Sequence, residues 1–271
     1  MQIMTEKPNH EQRAYSAWKI LTEVSFQRGT ITYGDLAKLL NIHPRPIRII
    51  LGIIYDHCVN NNLPPLTILV LNKLTGLPGS GFTDYDPLNP QKVFDFVYDF
   101  NWRIIENPFE YARTGTNQNE LASRLLNFPD QSADVFAQVK VRGIQQRIFR
   151  QALLKAYKYS CAMCGFSFPE ALEACHIIPY SECGPAQKLD IKNGLLLCST
   201  HHKLFDKGYI TVNNNYSIDY FDMKEEEGKH TEYDRLMTIN LHSKKLNLPK
   251  DINHLPDAAN LEIHRKLWIE G

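Results

Sequence analysis

The chain has 271 residues and carries 30 basic (lysine and arginine) and 30 acidic (aspartate and glutamate) side chains, so its formal net charge at pH 7 is zero. This length predicts about two domains, and the zero net charge argues against a strongly basic coat for nucleic acid. Because no run of about 18 apolar residues occurs, we expect no membrane span. No apolar leader opens the sequence, so we expect a cytoplasmic protein in a reducing compartment.

The first third of the chain alternates between helical and extended patterns. Apolar residues recur at spacings of three and four from His10 to Phe26, which predicts a helix. A short β-like stretch, Thr30–Tyr33, leads into a second predicted helix, Gly34–Leu40. A third, apolar helix is predicted at Ile47–Tyr55, and the apolar run Leu66–Leu71 predicts a strand.

The stretch GTITYGDLAKLL, residues 29–40, is the most characteristic piece of this region. With its surroundings, residues 10–82, it resembles the winged-helix domain of alkyltransferase-like proteins. In true alkyltransferases a Pro-Cys-His-Arg motif holds the nucleophilic cysteine, whereas the matching region here, Leu63–Ile68, contains no cysteine. The resemblance therefore implies a retained DNA-docking surface without alkyl transfer.

Two arginines precede or open the helix that would read DNA in such a domain. Arg45 and Arg48 are candidates for contact with phosphates or bases. The alternative is ordinary solvated surface charge, and the sequence does not separate the two interpretations.

The middle of the chain is predicted to separate two domains. Residues 107–134 are rich in polar and turn-forming residues and are predicted to be a linker with one short helix, Glu120–Leu126. The predicted domains are therefore 1–106, a winged-helix-like DNA-recognition domain, and 135–271.

A basic segment begins the second predicted domain. From Val135 to Pro169 there are six basic residues and no acidic one, and an apolar stripe predicts a helix within Val139–Tyr159. Basic side chains without acidic neighbours can neutralise DNA phosphates, so Arg147 and Arg150 are candidates for DNA binding. A solvated helix face is the alternative.

Four residues then follow a zinc-ligand pattern. Cys161 and Cys164 form one close pair, and Cys198 and His201 form another, which is the arrangement of a structural zinc site. Gly165 follows the first pair, where a tight turn suits a residue without a Cβ atom. A redox motif or a disulfide is the alternative, and a reducing compartment disfavours the disulfide.

Three further residues lie between and after these ligands along the sequence. They are His176, Asn193 and His202, in the segments EACHIIP, NGL and HHKLFD. With this spacing the stretch Cys161–Asp206 resembles an HNH endonuclease. The resemblance implies two strands and a helix around one divalent cation, Mg²⁺ or Mn²⁺. It implies that His176 is the general base, that Asn193 orients the base or assists the metal, and that His202 is a metal ligand.

The position before the base departs from the family pattern. Many members carry aspartate or histidine there as a metal ligand, whereas this chain has Cys175, a poor ligand for a hard cation such as Mg²⁺. Glu173 and Asp206 are further candidates for metal-binding or supporting roles. Neighbouring helical residues project about 100° apart, so His201 can bind zinc while His202 points into the site.

Two further elements are predicted beyond this site. The stretches Tyr209–Val212 and Tyr216–Ile218 flank three asparagines, which predicts a hairpin. Apolar residues at helical spacing predict a terminal helix at Asp257–Trp268.

Together these patterns predict an α+β protein with a winged-helix-like domain and a zinc-stabilised ββα-metal domain. The predicted function is metal-dependent hydrolysis of phosphodiester bonds in double-stranded DNA, in the restriction of foreign DNA, with modified DNA as one candidate target. A mobile-element or repair nuclease, and a zinc-stabilised DNA-binding regulator that does not cut, are the alternatives. One HNH unit cuts one strand, so cutting both needs two visits or two protomers, as in a homodimer.

Overall fold

The computed structural model describes residues 8–79, 91–221 and 230–269. The chain divides into two units, Met1–Asn117 and Gln118–Gly271. Helices accompany small two-stranded sheets in both units, which confirms the predicted α+β class. Within the described ranges, no helix has the length and apolar character needed to cross a membrane.

The first unit is mainly helical, and three of its helices begin within one residue of the start predicted for them. In chain order its elements are α1 (His10–Phe26), β1 (Ile31–Thr32), α2 (Tyr33–Leu39), α3 (Ile47–Asn60), β2 (Val70–Leu71) and α4 (Gln91–Asp99).

The core of the first unit forms around one aromatic residue of α1. Asn9 caps this helix by accepting hydrogen bonds from the backbone N–H groups of its first turn. The ring of Trp18 makes edge-to-face contacts with His57, Trp102 and Phe109, at centroid distances of 5.4, 5.6 and 6.1 Å. These rings join α1 to α3 and to the end of the unit.

The run Leu66–Leu71 differs from the predicted strand. Its first four residues form a 3₁₀ helix, and only Val70 and Leu71 are extended, in a parallel pair with Ile31 and Thr32. Leu66, Ile68 and Leu69 are fully buried. A short apolar run that is buried on all sides has no period that separates a strand from a helical turn, so the prediction was wrong here.

The segment 107–134 also differs from the predicted linker. Up to Asn117 it belongs to the first unit, where Phe109 and Tyr111 are buried. From Gln118 it belongs to the second unit and forms a helix that extends the predicted Glu120–Leu126 at both ends. Although the segment is polar in composition, its apolar side chains recur at helical spacing and pack into the cores of the two units.

The second unit carries the remaining elements. In chain order they are α5 (Gln118–Asn127), α6 (Ser132–Gln138), α7 (Arg142–Ala156), β3 (Leu172–His176), β4 (Gly194–Cys198), α8 (Ser199–Asp206), β5 (Ile210–Val212), β6 (Ile218–Tyr220), α9 (Glu232–Met237) and α10 (Ala258–Ile269).

The antiparallel pair β3–β4 and helix α8 form the two-strand and helix order that the HNH resemblance implies. Leu172 lies opposite Cys198 and His176 lies opposite Gly194. A Cβ atom at position 194 would lie 2.6 Å from Cζ of Phe149, so glycine allows α7 to pack closely against this end of the sheet. The hairpin β5–β6 forms where the sequence predicted one, but its second strand begins two residues after the predicted Tyr216, whereas α10 begins and ends within one residue of the predicted helix.

Candidate functional site

The four predicted zinc ligands converge in the second unit. One donor atom from each of Cys161, Cys164, Cys198 and His201 lies within 4.8 Å of the others. Gly165 has a φ of 76°, in the left-handed region, and its N–H donates to the carbonyl of Cys161 at 3.0 Å. This is the tight turn expected after the first cysteine pair. Four soft or borderline donors, three of them buried, are consistent with structural zinc.

The imidazole of His201 is oriented for this role by a main-chain acceptor. Its Nε2–H donates to the carbonyl of Met237 at 2.9 Å, which turns Nδ1 toward the cysteine sulfur atoms. Nδ1 lies 3.1 Å from Sγ of Cys198 and 3.6 Å from Sγ of Cys161. A histidine ligand commonly donates its other ring N–H to such a partner.

Within the cysteine cluster the thiolate, the form that binds a metal, is favoured at Cys161, whereas the contacts with Cys161 and Cys198 raise the pKa of Cys164 far above its usual value. Hydrogen bonds from Cys164 and then Cys198 hold the pKa of Cys161 far below its usual value. Burial opposes a charge on His201, but the two neighbouring sulfur atoms outweigh it and raise the pKa of this imidazole to about 10. A thiolate surrounded by further sulfur and imidazole donors in a buried site suits a cation.

A second donor cluster lies at the junction of β3 and α8. Cys175, His202 and Asp206 each place a possible ligand atom within 4.8 Å of the other two. Nε2 of His202 is 3.3 Å from Oδ2 of Asp206, one helical turn further along α8. The sulfur of Cys175 is 3.8 Å from Oδ1 of the same aspartate. The cluster unites the predicted ligand His202 with two residues that the sequence left open.

Glu173 supports this cluster from one side. Nδ1–H of His202 donates to Oε2 of Glu173 at 2.5 Å, and the hydroxyl of Ser199 donates to Oε1 at 2.6 Å. Burial opposes the charge of Glu173, but these two hydrogen bonds outweigh burial and lower its pKa. The carboxylate therefore fixes the His202 ring so that Nε2 faces Asp206.

Two of the three donors in this cluster suit a hard divalent cation, and the third donor suits softer ions. An imidazole and a carboxylate suit Mg²⁺ or Mn²⁺, whereas a thiol suits softer ions. Burial, and then the charge of Asp206, raises the pKa of the Cys175 thiol well above its ordinary value. A neutral thiol is a weak ligand, so the imidazole and the carboxylate are the principal donors.

His176, the predicted base, ends β3 and is held on three sides. Its Nε2–H donates to the carbonyl of Lys188 at 3.0 Å, which leaves Nδ1 free of a proton. Its ring stacks on the ring of Phe149, with the centroids 4.4 Å apart, and makes an edge-to-face contact with the ring of Tyr180, with the centroids 5.5 Å apart. Burial, reinforced by the charges of His202 and Arg142, lowers the pKa of His176, so the ring is neutral at pH 7.

Asn193 is fully buried and braces the loop that follows β3. Its Oδ1 accepts from the backbone N–H of Ile178 at 2.9 Å. Its Nδ2 donates to the carbonyls of Ile178 and Gln187, at 3.3 and 3.4 Å, and to Sγ of Cys183. Lys188, which holds His176, follows Gln187 directly. Asn193 thus positions the base through the loop and is not among the donors of either cluster.

His176 and His202 open onto one cleft of about 690 Å³. Arg142, Gln146 and Tyr180 also line this cleft, and from α10 so do Leu267 and Trp268. The cleft joins the predicted base to the second donor cluster and leaves room for a substrate beside both.

The four arginines predicted to bind DNA do not line this cleft. Arg150 donates from Nε to the carbonyl of Leu172 at 2.9 Å and from Nη2 to that of Pro169, so it fastens α7 to the start of β3. Arg147 is exposed and lies 3.4 Å from Oε1 of Gln118. In the first unit, Arg45 and Arg48 are exposed beside the start of α3.

Residues 161–213 match the family model described as HNH endonuclease. The match covers less than half of the chain and contains both donor clusters, β3, β4 and α8. No curated protein matches the chain. The second unit therefore carries an HNH endonuclease domain, and this domain indicates a nuclease that acts on DNA.

The sequence-based prediction left the role of Asp206 open and did not place Arg142 and Tyr180 in the cleft. Asp206 follows His202 by four residues, and because residues four apart share a helix face, this spacing was the available signal. The cleft-lining positions of Arg142 and Tyr180 depend on how α7 packs against the loop after β3. No local pattern carries that information.

Proposed function

We propose that the protein is a metal-dependent endonuclease that hydrolyses phosphodiester bonds of double-stranded DNA. The observation that carries the proposal is the shared cleft, which His176 lines together with His202 and Asp206, two of the three donors of the second cluster. A base and a cation site next to each other are the two groups that phosphodiester hydrolysis requires.

In the proposed reaction, Nδ1 of His176 takes a proton from a water molecule, and the water oxygen attacks the scissile phosphorus. The bond from phosphorus to the 3′ oxygen then breaks, which leaves a 5′-phosphate and, after protonation, a 3′-hydroxyl. A divalent cation, when bound, would stabilise the negative charge on the phosphate and on the leaving oxygen. The carbonyl of Lys188 holds the base in the tautomer that can accept the proton.

The first donor cluster would have a structural role, and the second would take part in the reaction. The zinc ligands Cys161, Cys164, Cys198 and His201 would fix the ends of β4 and α8. Glu173 and Asn193 would hold the cation ligand His202 and the base in place. Because positioned groups react without reorganisation, these contacts support catalysis without touching the substrate.

The proposed role of the first unit is DNA recognition in a restriction endonuclease. Its support is the resemblance of residues 10–82 to a winged helix and the exposure of Arg45 and Arg48 beside α3. Modified DNA is the proposed target class, since related domains act on alkylated bases. Double-strand cleavage would then use a homodimer or two successive cuts.

The test is nicking of supercoiled plasmid with added Mg²⁺ or Mn²⁺, on plain, methylated, hydroxymethylated and phosphorothioate DNA. We expect nicking with an added cation and none without it, and a preference for one modified substrate. Binding without nicking under every condition would replace the nuclease with a zinc-stabilised DNA-binding regulator. Equal cutting of all substrates would remove the modified-DNA assignment alone.

Cation preference provides a sharper test of the second cluster. The Cys175 thiol disfavours Mg²⁺, so we expect the wild-type protein to work better with Mn²⁺. Cys175→Asp should raise the ratio of Mg²⁺-supported to Mn²⁺-supported nicking by about tenfold, within the range by which groups around a metal change its affinity. Cys175→Ala is the matched control, which removes the thiol and supplies no oxygen. An unchanged ratio in Cys175→Asp would show that position 175 does not contact the cation.

A further inference from the structure

Two basic side chains meet over one aromatic ring beside the candidate base. The guanidinium carbon of Arg142 lies 4.5 Å from the ring centroid of Tyr180, and Nζ of Lys188 lies 4.7 Å from the same centroid. The hydroxyl of Tyr180 donates to Oε1 of Gln145 at 2.9 Å, and Gln145 itself is buried. The ring is therefore a fixed platform for both cations.

Neither cation is paired with a carboxylate of the described residues. Within the part of the chain that the structure describes, no aspartate or glutamate oxygen lies within 4.0 Å of Arg142 or Lys188. Glu182 also lines the cleft but forms no ion pair with either of them. Two positive charges held close together without a carboxylate partner create a local positive potential, which attracts an anion.

The position of the pair indicates which anion. The ring centroids of His176 and Tyr180 lie 5.5 Å apart in an edge-to-face contact, so the two cations over Tyr180 lie close to the base. Successive phosphates of one strand advance by only about 3.4 Å along the helix axis. When the scissile phosphate lies at the base, the next phosphate of that strand therefore lies nearby. An arginine supplies a planar fork for phosphate oxygens and a lysine a point charge.

We propose that Arg142 and Lys188 form a phosphate clamp that binds the backbone phosphate next to the scissile phosphate on the same DNA strand. The proposal rests on the nuclease function proposed above and adds substrate-positioning residues to it. The clamp is coupled to the base, because the carbonyl of Lys188 holds His176 while its ammonium holds the strand.

The main experiment measures binding without cutting. In a His176→Ala background, the affinity for a random-sequence duplex is measured from low to high salt. Adding Arg142→Gln or Lys188→Gln should each lower the slope of log affinity against log salt by about 0.9, the value for one lost phosphate contact. Arg235→Gln is the matched control, with the same charge change at an exposed arginine of α9 outside the cleft, and should leave the slope unchanged.

Cleavage by the otherwise wild-type protein gives the second readout. Arg142→Gln should raise KM about tenfold at low salt, in line with one hydrogen bond to a charged group, and Arg142→Lys should recover part of this loss. A duplex in which the single phosphate next to a mapped cut is a neutral methylphosphonate should reproduce the defect, and on it Arg142→Gln should cause no further loss. Zinc content and thermal unfolding report whether each variant is folded.

The outcomes separate the two proposals. If the wild-type protein nicks DNA but neither glutamine variant changes the salt slope, the clamp is refuted and the nuclease stands. If Arg235→Gln lowers the slope as much as Arg142→Gln does, the effect is general charge and the clamp is likewise refuted. If the protein binds DNA without nicking it, the salt slopes still test the clamp, and only the nuclease fails.

Discussion

Replacing His176 with alanine should lower the rate of DNA nicking by about 100- to 10,000-fold, the usual contribution of a general base. The reason is geometric. The Nε2–H bond to the carbonyl of Lys188 and the stacking on Phe149 hold a neutral ring whose Nδ1 is ready to accept a proton. Single-turnover nicking at saturating protein measures the chemical step, and salt-dependent binding shows whether DNA is still held.

The control for this variant is His43→Ala, which removes an exposed histidine from the first unit. It should nick at the wild-type rate. His176→Ala should keep its zinc and its affinity for DNA, because the ring contributes to neither the cysteine cluster nor the clamp. Turnover at the wild-type rate in His176→Ala would remove this residue from the role of base.

Loss of the zinc ligands should have the largest effect on stability. The purified protein should contain about one tightly held zinc ion per chain, because a closed four-ligand site binds one ion. Cys161→Ser should unfold the second unit, since structural zinc in small domains contributes about 10–16 kcal/mol to a state that the unfolded chain cannot form. Metal analysis and circular dichroism of the purified variant measure the two effects.

Cys58→Ala is the matched control, because Cys58 is a buried free thiol of the first unit outside either cluster. It should keep the full zinc content. A well-folded wild-type protein without zinc would contradict the assignment. So would a Cys161→Ser variant as stable as Cys58→Ala.

Local patterns predicted most of the helices and strands, because the formation of these elements depends on residues that are close together in the sequence. Helix α1 follows from apolar spacing, and the cysteine pairs follow from the geometry of their turns. Leu66–Leu71 was misassigned because complete burial erases the period that identifies a strand. The linker prediction used composition, whereas burial of Phe109 and Leu121 decides the structure of that segment.

The candidate site was also predictable only in part. The residue types and spacing of His176, Asn193 and His202 identified them as a set. Their individual tasks depend on long-range contacts. Asn193 braces a loop, Arg150 binds carbonyls of the chain itself, and Arg142 reaches the cleft that Arg147 does not. No sequence pattern distinguishes these arginines, since all three lie on one helix with similar neighbours.

The register of β3 and β4 limits how this sequence can change in length during evolution. Leu172 faces Cys198 at one end and His176 faces Gly194 at the other. Because successive side chains of a strand alternate between faces, one inserted or deleted residue would turn either the zinc ligand or the base to the opposite face. The exposed tip of the β5–β6 hairpin, at Asn214 and Asn215, carries no such restriction. Natural insertions and deletions among descendants of this gene should therefore accumulate at that tip and be absent from the two strands.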